Sequence, residues 1–282
     1  MMINIVCVKI GTKYESIYAN TLYGMCADNI SQPFNFFCYT DNPDGLDPNI
    51  RTLPFINHDI KQIVFNKLFL LSDQFALWIG NNPTFFFDLD VVIKSNIDGF
   101  INRSKATDTF KVINAVWKTL TKEDTLPPYL DHTVNSSCMF WVPGTTDYIW
   151  NSFFSQKEAL QKIYWRGMDG FLFYEHNIRG GLPEDSFYSF LYDIDRKIKR
   201  IITSPEEYKK VKASIPIVLF NGPTTQEDID TFIKNNYESD YLRFEETFVS
   251  SLERKKEIQR EIDEDMKLRQ LSMSSHISSH IP

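Results

Sequence analysis

Thr84-Phe85-Phe86-Phe87-Asp88-Leu89-Asp90-Val91-Val92-Ile93 holds three consecutive phenylalanines, two aspartates one residue apart, and a β-branched run. An apolar segment this dense reads as a strand buried in the middle of a sheet. Alternate residues of a strand share a face, so Asp88 and Asp90 are expected to point the same way. Two buried carboxylates side by side repel each other and take up protons unless positive charge compensates. A hard divalent cation, Mg²⁺ or Mn²⁺, does this with oxygen ligands. In open α/β sheets the ligand site lies beyond the carboxyl ends of the strands, where a metal-bound phosphate ligand would meet such a pair. The bland alternative is that the pair ends a strand and caps the following turn.

Outward from this segment the chain alternates strand and helix. Residues 3–10 read as a buried strand broken by Gly11 and Thr12. Residues 14–30 have near-helical apolar spacing, 34–40 read as a second strand and 51–55 as a third. Asp41-Asn42-Pro43-Asp44-Gly45 is a turn cluster. Residues 66–79 read as one helix, stopped by Asn81-Asn82-Pro83. This order predicts an α/β layer on a largely parallel sheet. Further on, 110–117, 136–142 and 215–220 read as strands, and 147–163 and 171–176 as helices. The domain is expected to span 1–240. A charged helical extension follows at 241–271, and a low-complexity, disordered tail at 272–282.

The chain has 282 residues, 43% hydrophobic and 24% charged, which excludes disorder for its bulk. Aromatics reach 15%, with 23 Phe and 13 Tyr, enough to fill a core and also to face a flat ligand ring. A net charge of −7 argues against a general nucleic-acid binder. No run of 18 apolar residues predicts a transmembrane helix. The first ten residues lack the basic start of a signal peptide. Cys7, Cys26, Cys38 and Cys138 show no metal-binding spacing. They read as buried thiols kept reduced, which points to a cytoplasmic location.

Two enzyme classes place Asp-x-Asp after an apolar strand: metal-dependent glycosyltransferases of the GT-A fold, and haloacid-dehalogenase-like phosphatases. In the phosphatases the motif lies on the first strand, whereas three strands and two helices are expected to precede it here. A transferase-fold binding protein that has lost turnover is the non-enzyme alternative.

The chain resembles GT-A glycosyltransferases, specifically glycosyltransferase family 8, the glycogenin and bacterial galactosyltransferase group. The likeness runs over roughly residues 3–223. It is carried by Ile5 to Tyr14, Asn66-Lys67 to Leu71, Phe87 to Ile93, Asn135-Ser136-Ser137 to Phe140, and Val218 to Pro223. The resemblance implies a mixed sheet flanked by helices and transfer of a hexose, with retention, from a nucleotide-diphospho-sugar, with UDP as the expected nucleotide. The acceptor would be a glycan, lipid or protein. It implies that Asp90 ligates the metal directly while Asp88 bridges the ribose and the metal. Thr12, Lys13 and Tyr14 would hold the nucleotide, with Tyr14 stacking on the base or packing on the next helix. Lys67 would reach the donor phosphate or sugar, and Asn135 and Ser136 the sugar hydroxyls. Where the family has a metal-binding His before Gly-Pro, this chain has Asn221, a weaker oxygen ligand, and the Lys that follows in the family is missing. Asp169 stands where the family places its acceptor-side carboxylate or amide, with a helix cap as the other reading. Asp185 is a similar candidate. Trp141, Trp150, Trp165 and Tyr174 are candidates for a sugar platform or for the core, and His132 and His176 are expected to be structural.

Overall fold

The computed structural model describes residues 2–115, 132–190, 205–220 and 226–234. The chain separates into two compact units, Met1–Tyr237 and Glu238–Pro282, and all the described residues belong to the first. Asn221, the 241–271 extension and the 272–282 tail lie outside the described residues.

Strand β1 (Ile3–Lys9) is buried at every position but Val8, because it has a neighbour on each side. It pairs in parallel with β2 (Phe34–Thr40) and with β4 (Thr84–Phe87). Outside β2 lies β3 (Arg51–Pro54), also parallel. On the other flank β7 (Val134–Trp141) runs antiparallel to β4, and β6 (Lys111–Asn114) antiparallel to β7. The sheet of six strands is therefore mixed, in the order β3-β2-β1-β4-β7-β6. Helix α1 (Ser16–Asn29) makes the crossover from β1 to β2. The phenylalanine run explains why β4 sits centrally: Phe85, Phe86 and Phe87 are fully buried. Phe85 lies opposite Phe140 in the register, with ring centroids 5.0 Å apart. Phe85→Ala is expected to cost about 3–5 kcal/mol in urea unfolding, the usual result of emptying a buried ring site. A loss under about 1 kcal/mol would contradict this packing.

Thr84–Ile93 is not one strand. β4 ends at Phe87, and β5 (Val91–Ile93) belongs to a second sheet of three strands, in the order β5-β9-β8. There β9 (Ile217–Leu219) runs antiparallel to β5 and parallel to β8 (Phe187–Ser189). Asp88, Leu89 and Asp90 form the corner. Asp88 N–H donates to Ser137 O at 2.9 Å and so stays on the large sheet, while Asp90 O accepts from Phe220 N–H at 3.1 Å on the small one. Val91 N–H closes the turn onto Asp88 O at 3.2 Å. One straight strand cannot serve two sheets, so the chain bends where Leu89, 5% exposed, anchors in the core.

The helix expected at 66–79 is two elements. A 3-10 helix covers Ile63–Leu71, and α2 covers Asp73–Ile79. Ser72 divides them: its hydroxyl donates to Phe69 O at 2.7 Å and accepts from Phe75 N–H at 3.1 Å as the N-cap of α2. Helix α3 (Asp98–Ser104) follows β5. The helix expected at 147–163 likewise divides into α4 (Asp147–Ser155) and α5 (Lys157–Ile163), and α6 covers Met168–Glu175. Helices α7 (Pro205–Ser214) and α8 (Gln226–Lys234) flank β9 in sequence. Cys7, Cys26, Cys38 and Cys138 are buried free thiols. Among the described residues no helix is long and apolar enough to cross a membrane.

Candidate active site

Strand order reverses at β1, with β2 and β3 to one side and β4 to the other. The loops leaving β1 and β4 therefore diverge and open a crevice beyond their carboxyl ends, the usual ligand site of such sheets. Tyr14 leaves β1 there and Asp88 leaves β4. An open cavity of about 460 Å³ lined by Tyr23, Phe34, Phe36 and Arg51 sits at the amino-terminal ends of β2 and β3, away from these carboxylates.

Lys67 and Asp88 form the tightest contact in the crevice. The ammonium lies 2.5 Å from Oδ1 and 2.8 Å from Oδ2, with the two side chains 15% and 21% exposed. The 3-10 helix carries Lys67 there, its stem passing Phe86 with Nζ 5.2 Å from the ring centroid. Burial pushes the Asp88 carboxyl up to about 6; Lys67 pulls it down, and the charge of Asp90 pushes it up again. One ammonium thus leaves the corner short of positive charge. Asp90 in turn accepts from the Tyr14 hydroxyl at 2.9 Å. Burial, and then the neighbouring Asp90, hold the Tyr14 phenol far above its ordinary value, so it stays a donor. Tyr14→Phe removes one hydrogen bond to a charged group and should cost about 1–2 kcal/mol in urea unfolding, whereas an unchanged midpoint would mean that the hydroxyl contributes nothing to the corner.

The loop holding Tyr14 is pinned from the turn cluster after β2. Gly11, at φ 73°, donates its N–H to Asp41 Oδ2 at 2.9 Å, and Lys9 Nζ donates to Asn42 O at 3.1 Å. Sequence reading took Asp41–Gly45 as a turn alone and missed this anchoring. Thr12 and Lys13 are exposed on the same loop, and Lys13 Nζ lies 4.6 Å from the centroid of the Tyr14 ring.

On the β7 side, Asn135 and Ser136 are buried at the start of the strand, which faces the carboxyl end of β4. Ser136 N–H donates to Asp169 Oδ1 at 3.0 Å, so Asp169, in the first turn of α6, is drawn against the strand. Asn135 Oδ1 accepts from Ser137 N–H at 3.0 Å. The structure thus brings Tyr14, Lys67, Asp88, Asp90, Asn135, Ser136 and Asp169 to one end of the sheet. Asp185 is elsewhere: it forms a bidentate pair with Arg103, at 2.8 Å for each contact, on the surface. Trp141 and Trp150 are 1% and 7% exposed, so they are core residues and no sugar platform. His176 Nε2 meets Ser152 Oγ at 2.8 Å, a structural contact.

Asp88 and Asp90 lie near enough for the charge of Asp90 to act on the Asp88 carboxyl, and both side chains are oxygen donors of the kind a hard cation takes. Among the described residues no cluster of three or more His, Cys, Asp or Glu side chains could hold a metal ion.

No known protein family matches the sequence, and no curated protein does. Solved structures do match in shape. A galactosyltransferase, LgtC, in complex with donor and acceptor sugar analogues, aligns with TM-score 0.52 at 11% identity, over 83% of this chain and 95% of its own. An active-site mutant of LgtC gives 0.52 at 11% identity, over 82% and 94%. The glycosyltransferase GlyE of Streptococcus pneumoniae TIGR4 gives 0.53 at 8% identity, over 85% of this chain and 62% of its own. The chain has the GT-A-like α/β fold of these glycosyltransferases.

Proposed function

We propose that the chain transfers a sugar from a nucleotide-diphospho-sugar, with UDP as the nucleotide, to an acceptor hydroxyl. The observation that carries this reading is the corner between the two sheets, where Asp88 and Asp90 meet Lys67 and Tyr14 at the switch point of a glycosyltransferase fold. Asp88 and Asp90 would hold Mn²⁺ or Mg²⁺, with Asn221 as a further oxygen donor. When bound, such a cation neutralises the diphosphate leaving group as a Lewis acid.

The chain's own residues do the rest. Lys67 places a positive charge beside the carboxylates, where the leaving group gathers negative charge, and needs no reorganisation to do so. Tyr14 fixes the orientation of Asp90 and presents its ring to the nucleotide base, with Thr12 and Lys13 on the same loop. Asn135 and Ser136 line the sugar side, and Asp169, held by Ser136 N–H, reaches the reacting sugar. The reading as a hexosyl transferase acting with retention rests on family resemblance. The motif follows the fourth strand and not the first, which disfavours the phosphatase reading. Four thiols kept reduced are consistent with a cytoplasmic enzyme.

The test is release of UDP from UDP-glucose and UDP-galactose, with and without Mn²⁺. Cation-dependent release supports the reading. UDP binding without turnover would indicate a degenerate binding protein, and phosphate-ester hydrolysis alone a phosphatase.

A pH effect follows from Asp88. Its carboxyl is raised in the folded chain, so the associated stability is present at low pH and is lost as pH rises through about 6. Cation binding needs the ionised form and runs the opposite way. Mn²⁺-dependent UDP affinity should be flat above pH 7 and fall by up to about tenfold per unit below 6, one proton competing with one cation. A flat profile down to pH 5 would contradict this.

A further inference from the structure

The mouth of the crevice is apolar on one side. Ile63 and Val64 open the 3-10 helix and are 56% and 40% exposed. Exposed aliphatic residues by themselves need no explanation, but these two are adjacent and belong to the 3-10 helix that carries Lys67 to Asp88, so they border the cleft. Side chains three apart eclipse on a 3-10 helix, so Val64 stands directly over Lys67, the residue paired with Asp88. The ledge also spans the two loops that bound the site. Ile63 Cδ1 approaches Gly11, in the loop leading to Tyr14, and Val64 Cγ2 approaches Gly167, two residues before Asp169. A Cβ built at either glycine would lie 3.5 Å from these carbons. Gly167 has φ 122°, so another residue is strained there whatever the space. The ledge is braced from behind: Gln62 N–H donates to Gln161 Oε1 at 2.9 Å, and Gln62 Nε2 to Gln161 O at 2.8 Å. Ile163, 47% exposed, lies two residues beyond Gln161 on α5.

We propose that the acceptor is amphipathic. Its hydroxyl enters beside Lys67 and Asp169, and its hydrocarbon part lies on the ledge of Ile63 and Val64. A free sugar would want hydrogen-bond partners or a ring face at this rim, whereas two stiff β-branched side chains offer only apolar area. The inference rests on the sugar-transfer reading and supplies its acceptor class.

The probes are octyl and methyl β-glucoside and β-galactoside, titrated calorimetrically into UDP- and Mn²⁺-loaded protein below their micelle concentrations. Full burial of one methylene is worth roughly fourfold in affinity, so partial cover of an octyl chain should favour octyl over methyl by about tenfold or more. Ile63→Ser/Val64→Ser should shrink that ratio below about threefold, and Val64→Thr alone should lower it in part; the ratio cancels any general loss of binding. Equal affinity for the two alkyl chains, an octyl preference that survives both variants, or tighter binding of a serine-containing peptide than of the octyl glycosides would overturn the proposal. If UDP neither binds nor is released from its sugars, the sugar-transfer reading has failed, and the octyl-to-methyl ratio without nucleotide then judges the ledge by itself.

Discussion

Asp90→Ala is expected to lower Mn²⁺-dependent UDP affinity about a hundredfold or more, while Asp88→Asn lowers it by about tenfold. The asymmetry comes from the corner. Asp90 begins the small sheet, with its carboxylate held by Tyr14, and alanine leaves no oxygen donor there. In Asp88→Asn the amide keeps one carbonyl oxygen, and it has no need to lose the proton that burial favours at Asp88. Calorimetric titration of UDP into each variant, with and without Mn²⁺, reads the effect, and thermal unfolding confirms that the variants fold. If both bind UDP and Mn²⁺ like the parent, the pair has no cation role.

Lys67→Met should have two effects of opposite sign. Release of UDP from its sugars should fall about 10²- to 10³-fold, the usual loss when one charge aimed at a leaving group is removed. Mn²⁺ affinity without nucleotide should rise severalfold near pH 8, because the ammonium at 2.5 Å from Asp88 no longer occupies the carboxylate. That gain should vanish near pH 6. Lys67 lowers the Asp88 carboxyl, so its loss raises that carboxyl further and lets protons compete. The electron paramagnetic resonance signal of free Mn²⁺ at the two pH values reads both limbs. A fall in Mn²⁺ affinity at pH 8 would mean that Lys67 supports the cation site and does not compete with it.

Much of the central layer was legible because its signals are local. β1, α1 and β2 each follow from one apolar run and one breaker, and the Phe85–Phe87 run marks a buried strand. The geometry of the aspartate pair was less legible. The two aspartates flank a corner between sheets and do not share one strand, and what makes the corner is pairing with Ser137 and Phe220. Those partners lie about 50 and 130 residues away, beyond the reach of any local periodicity. The second sheet went unrecognised for the same reason: β5 and β9 fall within stretches that read as strands, but their pairing is long-range, and β8 is only three residues long. Lys67 was expected on an α-helix; the switch from 3-10 to α at Ser72 rests on one side chain serving both ends. The two links that define the corner, Lys67 to Asp88 and Tyr14 to Asp90, join residues that sequence reading had singled out separately and had not paired.

The most direct measurement is a crystal of the protein soaked with UDP and Mn²⁺, with anomalous scattering used to place the metal. The account predicts one Mn²⁺ peak bonded to Asp90 and the diphosphate, the uridine beside Tyr14, and Lys67 drawn from Asp88 toward the phosphate. UDP bound away from the β1–β4 crevice, or bound within it with no metal peak and the Lys67–Asp88 pair intact, would contradict it.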